Sequence, residues 1–442
     1  MSLDWIASPS GTLHGEVRVP GDKSISHRAL MLAAIADGTS RISGFLEGED
    51  TRATAAILQQ LGVHIETPAD CERIVHGVGM YGLHGSDAAL DCGNAGTGMR
   101  LLCGLLAGQA FDSELVGDAS LSRRPMARVI EPLTRMGARI TGSMGGYPPI
   151  RINTNNSMQS IDIETDIASA QLKSAILLAG LYADGTTTVR EPHPTRDYTE
   201  RMLAAFGYPI VFSPGIAVLQ GGHRLRAIDI VVPADFSSAA FFIVAACVIP
   251  GSDLRLRAVG MNPRRTGLLP VLRAMGADIV QQDIISADAR EHGEPIADLL
   301  VRSAPLHGID VSPELVADMI DEFPILFVAA ALADGVTRIS GAAELRVKES
   351  DRIASMAVGL RALGVAIDET PDGAVIHGIG ATGMLRAGTV DSHGDHRIAM
   401  SFAVAAQRAE GEVRIGDCAN VATSFPGFVQ LATNSGLGLR ET

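Results

Sequence analysis

Residues 21–28 read Gly21-Asp22-Lys23-Ser24-Ile25-Ser26-His27-Arg28, and the rest of the chain is organised around them. A strand-like run, Glu16 to Val19, precedes them and ends at Pro20; an apolar helical run, Ala29 to Ala36, follows. Gly21 and Asp22 are turn formers, and Ser24 is placed to cap the helix. Lys23, Ser24 and Arg28 then stand at or beside a first helical turn. Free N–H groups and the positive end of the helix dipole favour an anion there. Two cations, a hydroxyl and a helix N-terminus make a seat for a phosphate or carboxylate. Taken alone, the octapeptide is better explained as a capped helix with two solvated cations. It is not a P-loop, which needs glycine where this chain has Val17 and Asp22.

Working outward, the apolar helix after this stretch is the first of six similar segments. Each is a small apolar helix expected to end in Gly and followed by a strand, at 29–44, 99–117, 173–191, 239–260, 324–341 and 398–416. Each leads to a second, amphipathic helix whose end is marked by Gly62, Gly137, Gly207, Gly276, Gly364 or Gly436. Those glycines are 75, 70, 69, 88 and 72 residues apart, and each is expected at the C′ position. Two helices and several strands per repeat make an α/β fold, and six repeats make two domains of three. The N-terminal strand, Thr12 to Val19, precedes the first full repeat and is expected to pair with the last ones. The expected domains are therefore 21–232 and the discontinuous 1–20 plus 233–442, with a hinge near 20 and 233 and a ligand cleft beside it. Gly77-x-Gly79-x-x-Gly82 and Gly378-x-Gly380-x-x-Gly383 match a dinucleotide fingerprint as strings. Neither opens a helix, so both read as turns that end strands.

Composition agrees with an ordered globular protein of 442 residues, too long for one ordinary core. The net charge of −14 and an aromatic content of 4% oppose binding to nucleic acid or acidic membranes, so an anionic ligand needs a local cluster of Lys and Arg. Five widely spaced cysteines without a C-x-x-C read as reduced core residues. Met1 to Ser10 has no signal-peptide pattern, and the longest apolar run, around Ala239 to Pro250, is too short to span a bilayer. The expectation is a cytoplasmic monomer.

The first helix of each repeat starts with a capping or turn residue: GDKSISHR (21–28), GNAGTGMR (93–100), ASAQLKS (168–174), ADFSSAA (234–240), MIDEFP (319–324) and GDHRIAM (394–400). In symmetric domains these positive helix ends converge, which suits a polyanion. Asn94 or Thr97 is a cap candidate, and Gly96 and Gly98 let backbone N–H groups approach a ligand. Pro125 reads as N1 of a helix with Arg124 beside its start. In 346–352, Lys348 and Arg352 share a helix face, and Glu349 lies three residues from Arg352. Asp321 and Glu322 read as first-turn acids. His393 and His396, with Asp391 and Asp395, lack further ligand motifs, so no metal is expected.

GDKSISHR, LDCGNAGTGMR, ASAQLKSAIL, MIDEFPIL, RVKESDR and GDHRIAM, in this order over almost the whole chain, resemble the 5-enolpyruvylshikimate-3-phosphate synthase family. The resemblance implies the enolpyruvyl transferase fold, two domains each of three βαβαββ units. It implies transfer of the enolpyruvyl group of phosphoenolpyruvate to the 5-hydroxyl of shikimate 3-phosphate through a tetrahedral intermediate, with release of phosphate and no cofactor. Carried over by motif, the catalytic residues are Lys23, Asp321 (general base) and Glu349 (proton donor to the CH₂ group). Shikimate 3-phosphate would be held by Lys23, Ser24, Arg28, Ser169, Ala170, Gln171, Arg196, Asp321 and Lys348. Phosphoenolpyruvate would be held by Lys23, Gly96, Arg124, Gln171, Arg352 and Arg397, with His396 nearby.

Ala170, Arg196, Glu344 and Thr423 depart from the plant and enterobacterial pattern and look like the divergent bacterial branch. Tolerant members of that branch carry Ala at the position of Gly96, so Gly96 implies sensitivity to glyphosate. Two alternatives remain at this point. A UDP-N-acetylglucosamine enolpyruvyl transferase would have Lys-Asn at 23–24 and a cysteine in the 117–125 loop. A non-catalytic polyanion clamp would have little use for Asp321 and Glu349.

Overall fold

The computed structural model describes residues 3–9, 11–154, 157–285 and 293–442. The chain divides into two compact units, one of Met1–Pro20, Ala234–Ser286 and Pro295–Thr442, the other of Gly21–Pro233 with Ala287–Glu294. Among the described residues, the second unit carries six α-helices: α1 (Lys23–Ala34), α2 (Glu49–Gln60), α3 (Gly96–Ala107), α4 (Ala127–Arg135), α5 (Ala170–Gly180) and α6 (Tyr198–Ala205). The first carries α7 (Phe236–Val248), α8 (Leu268–Ala274), α9 (Phe323–Ala331), α10 (Arg352–Ala362), α11 (His396–Ala405) and α12 (Phe428–Asn434).

Odd and even helices differ in how they bury. Every residue of α7, α9 and α11 is buried, and these three pack on one another. Helices apolar all round must be enclosed on every side. They form the centre of one core, as α1, α3 and α5 do in the other unit. The even helices bury one face and close with glycine. Gly62, Gly137, Gly207, Gly276, Gly364 and Gly436 all have φ between 77° and 107°, the left-handed conformation of a C′ residue.

Each repeat adds a small sheet. In the first it runs Ile230–Val231, Asp37–Ser43, Glu72–Val78, His64–Glu66; the first pair is parallel and the others antiparallel. The expected pairing of the N-terminus is corrected in detail. Trp5–Ser8 lies between Val413–Gly416 and Gly438–Glu441 of the last repeat, whereas His14–Val17 runs parallel to Asp253–Gly260 of the fourth. The two chain crossings are anchored by the Asp22 N–H to the Pro233 carbonyl and the Asp235 N–H to the Pro20 carbonyl, both at 2.9 Å. At Gly21 a Cβ would fall 1.9 Å from the Gly44 carbonyl oxygen, so only glycine allows that approach.

Four cysteines are buried, but Cys71 is exposed and is not a core residue. Among the described residues, no helix is long and apolar enough to cross a membrane.

Candidate active site

The cap of α1 is Asp22, not Ser24: its carboxylate accepts from the Ile25 N–H, which places Lys23 and Ser24 inside the first turn. Lys23 Nζ lies 2.8 Å from Asp50 Oδ2 on α2. Arg28 is buried one turn further on. Its Nε donates to Thr199 at 2.7 Å, Nη2 to Ser174 at 2.8 Å and Nη1 to the Ser24 carbonyl at 2.9 Å. Burial, with the charge of Arg196 adding, lowers the Arg28 pKa to about 10. Glu200, Asp22 and Tyr198 pull the other way without offsetting the burial.

Neither Asn94 nor Thr97 caps α3. The N-cap is Ala95, without a side-chain bond. Asn94 instead accepts from Arg124 Nη2 at 2.7 Å and donates to Asp118 at 2.8 Å. Pro125 precedes α4 rather than opening it, so Arg124 is held by Asn94 and Ser120 and not by a helix start. Ser169 caps α5, Ala170 is its first residue, and Gln171 reaches back to α3. The Gln171 amide donates to Thr97 Oγ1 at 2.9 Å and accepts from Arg100 at 2.7 Å. Gly96 faces the same cations: a Cβ there would stand 3.1 Å from Arg124 Nη1 and 3.3 Å from Arg100 Nη1. Arg196 follows Thr195, whose N–H and hydroxyl both donate to the buried Glu191. The starts of α1, α3 and α5 thus each bring sequence-predicted residues into this unit's cluster.

The other unit has its own network, at the starts of α9, α10 and α11. Asp321 Oδ2 accepts from Arg265 Nη1 at 2.8 Å, and its Oδ1 is 3.5 Å from Arg352 Nη1. The Asp321 carbonyl accepts from Arg397 at 3.0 Å. Glu349 pairs with Arg352 at 2.5 Å, and Arg352 Nε donates to Asp395 at 2.8 Å. Burial alone would lower the Arg352 pKa; Asp395, Glu349 and Asp321 outweigh it and raise it. Lys348 does not share a helix with Arg352, because a 3₁₀ turn ends at Val347 and α10 begins at Arg352, capped by Asp351. Desolvation lowers the Lys348 pKa against the opposing pull of Asp321 and Glu344. His396 is buried as the first residue of α11, and Asp395 caps that helix. His393 Nδ1 lies 3.8 Å from Asp391.

Glu322, read from sequence as a first-turn acid, is instead fully buried against Ser237, with Arg265 at 3.5 Å and Arg397 at 3.6 Å. Burial raises its pKa, while the two arginines oppose the rise. Sequence reasoning missed Arg265, Asp50, Arg100 and Asp395 as partners of the charged residues. Asp395 and Arg100 lie inside quoted motifs and were within reach; Arg265 and Asp50 stand in no motif.

In sum, Lys23, Ser24, Arg28, Gly96, Arg124, Ser169, Ala170, Gln171 and Arg196 belong to one unit, and Asp321, Lys348, Glu349, Arg352 and Arg397 to the other. Each set lies where helices begin, with cations and carboxylates interleaved. The sequence model of the family described as EPSP synthase (3-phosphoshikimate 1-carboxyvinyltransferase) matches residues 7–431. A 3-phosphoshikimate 1-carboxyvinyltransferase of Xanthomonas campestris pv. campestris (strain B100) is 65% identical over 98% of both chains. Its counterpart in Xanthomonas euvesicatoria pv. vesicatoria is 64% identical over 98% of this chain and 97% of that one. Among solved structures, an EPSP synthase from Acinetobacter baumannii superposes with a TM-score of 0.90 at 48% identity, covering all of both chains. The enolpyruvyl transferase NikO from Streptomyces tendae shares the fold, with a TM-score of 0.81 at 19% identity over 100% of this chain and 99% of that one. The chain belongs to the EPSP synthase (3-phosphoshikimate 1-carboxyvinyltransferase) family.

Proposed function

We propose that the two clusters divide the work of the family's reaction, in which the carboxyvinyl group of phosphoenolpyruvate passes to the 5-hydroxyl of shikimate 3-phosphate and phosphate is released. Lys23, Ser24, Arg28, Ser169, the Ala170 backbone, Gln171 and Arg196 bind shikimate 3-phosphate, whose ring hydroxyls meet Asp321 and Lys348. Lys23, Gly96, Arg124, Gln171, Arg352 and Arg397 take phosphoenolpyruvate. The 5-oxygen attacks C2 of phosphoenolpyruvate while its proton goes to Asp321 and C3 gains a proton from Glu349. Phosphate then leaves the tetrahedral intermediate and a methyl proton is removed, restoring the double bond. Two polyanions repel one another, so the interleaved cations supply the stabilisation that association requires.

The observation that carries this reading is that Asp321 and Glu349 both lie against one buried guanidinium, Arg352, at its Nη1 and Nη2 respectively. An anion binder without chemistry has no need of two carboxylates there. The crossings near 20 and 233 are proposed as the domain boundary and hinge, and the enzyme as a cytoplasmic monomer that uses no nucleic acid. Support for the last point is the net charge of −14. The test is phosphate release on mixing both substrates. Release that requires both together is expected, and saturable binding without release would defeat the reading.

A further inference from the structure

The sheet of the first repeat carries a donor set that this reaction does not use. His64 and Glu66 lie two residues apart on an edge strand, so their side chains share a face. His76, on Glu72–Val78, pairs directly with His64, and the two imidazoles stack with centroids 4.9 Å apart. Glu66 stands diagonally from His76. Its Oε1 is 2.6 Å from His76 Nε2 and 3.7 Å from His64 Nε2. On the other side of His76, the strand Asp37–Ser43 sets Thr39 opposite it, with Thr39 Oγ1 3.2 Å from His76 Nδ1. One ligand atom from each of His64, Glu66 and His76 lies within 4.8 Å of the other two.

We propose that His64, Glu66 and His76 form a surface site for a borderline divalent cation such as Zn²⁺, with Thr39 orienting His76 from behind. Two imidazoles and one carboxylate suit Zn²⁺, Co²⁺ or Ni²⁺; Mg²⁺ and Ca²⁺ take oxygen ligands. With bonds of roughly 2.0–2.1 Å, ligand atoms around a tetrahedral ion lie about 3.3 Å apart. The 3.7 Å separation is close to that, and the 2.6 Å separation reaches it by a small rotation of Glu66, whose side chain is 45% exposed. When His76 Nδ1–H donates to Thr39, Nε2 keeps its lone pair for the metal. A proton between Glu66 and His76 fits the same short contact, but a proton has no need of His64. The cation does, and it would tie the edge strand to its neighbour and stabilise this unit by mass action.

The test is calorimetric titration of the metal-stripped, full-length enzyme with Zn²⁺, repeated with Co²⁺ and read by its visible absorption. A single equivalent is expected, with a raised thermal midpoint that a chelator reverses. His64→Ala and His76→Ala should each weaken binding about 10-fold or more, and Thr39→Val should weaken it less. His84→Ala, a histidine outside the set, should leave binding unchanged. Absence of saturable binding overturns the proposal, as does unchanged binding in the His64→Ala/His76→Ala double variant. Loss in His76→Ala alone, with His64→Ala unaffected, also overturns it, because the site needs all three residues.

Discussion

Arg352 Nε donates to Asp395 Oδ2 at 2.8 Å, and both side chains are buried. Asp395 also accepts from the Arg397 N–H as the cap of α11. One carboxylate therefore fixes the starts of two helices and two of the arginines assigned to phosphoenolpyruvate. Removing one partner of a buried pair leaves the other charge uncompensated.

Asp395→Ala should accordingly destabilise the protein by about 3–5 kcal/mol. It should also raise the KM for phosphoenolpyruvate more than that for shikimate 3-phosphate. Urea unfolding and steady-state kinetics check both parts. A midpoint equal to the parent's would show that Asp395 is dispensable.

A second prediction concerns pH. His27 is fully buried, its Nδ1 2.8 Å from Thr54 Oγ1, and burial together with the charges of Lys23 and Arg28 pulls its pKa down from 6.5 to about 3. The folded state therefore keeps His27 neutral where the unfolded chain binds a proton. Stability is fully present above pH 6.5 and is lost as the pH falls from there toward the folded value, by up to about 1.4 kcal/mol per pH unit. His27→Gln should show a shallower fall between about pH 6 and pH 4 in matched denaturant titrations. Parallel curves for parent and variant would remove His27 as the cause.

What could be read from the sequence divides along physical lines. The six repeats and their C′ glycines were legible because a helix end has a local signature, and the structure gives every one of those glycines a positive φ. That the N-terminus joins the C-terminal half was expected, but the insertion of Trp5–Ser8 between two strands of the last repeat was not. Trp5 pairs with Ile415 and Glu441, and no local pattern announces a partner some four hundred residues away. The cap of α1 was misjudged: Ser24 was read as the cap and Asp22 as a turn former, and only the backbone at Asp22 settles the matter. The charged motif residues could be named, but Arg265 and Asp50 stand in none of the quoted motifs and acquire meaning only beside Asp321 and Lys23.

Gly96→Ala tests the crowding at α3. The added methyl meets Arg124 Nη1 at 3.1 Å and Arg100 Nη1 at 3.3 Å, so a guanidinium has to yield by a few tenths of an ångström. Alanine is no worse than glycine within a helix, so the fold should not suffer. The parent enzyme is expected to be inhibited by glyphosate. The variant should need about 10-fold more or beyond, the scale of one methyl group in a tight pocket, with a raised KM for phosphoenolpyruvate. Equal inhibition curves would contradict this.

Lys23 and Glu349 carry the sharpest test, because one lies in each unit and each already has a partner, Asp50 at 2.8 Å and Arg352 at 2.5 Å. If Glu349 only neutralised Arg352, Glu349→Gln would cost mainly phosphoenolpyruvate affinity and leave kcat near normal. If it delivers a proton to the CH₂ group, the amide cannot replace it, and kcat should fall about 100-fold to 10,000-fold while circular dichroism stays unchanged. Lys23→Ala should lower kcat comparably and raise both KM values, since its ammonium is assigned to both substrates. Exchange of solvent deuterium into the phosphoenolpyruvate CH₂ group separates the two roles: Glu349→Gln should abolish it, because exchange requires proton delivery to that carbon. Retained exchange in Glu349→Gln would move the proton donor to another residue.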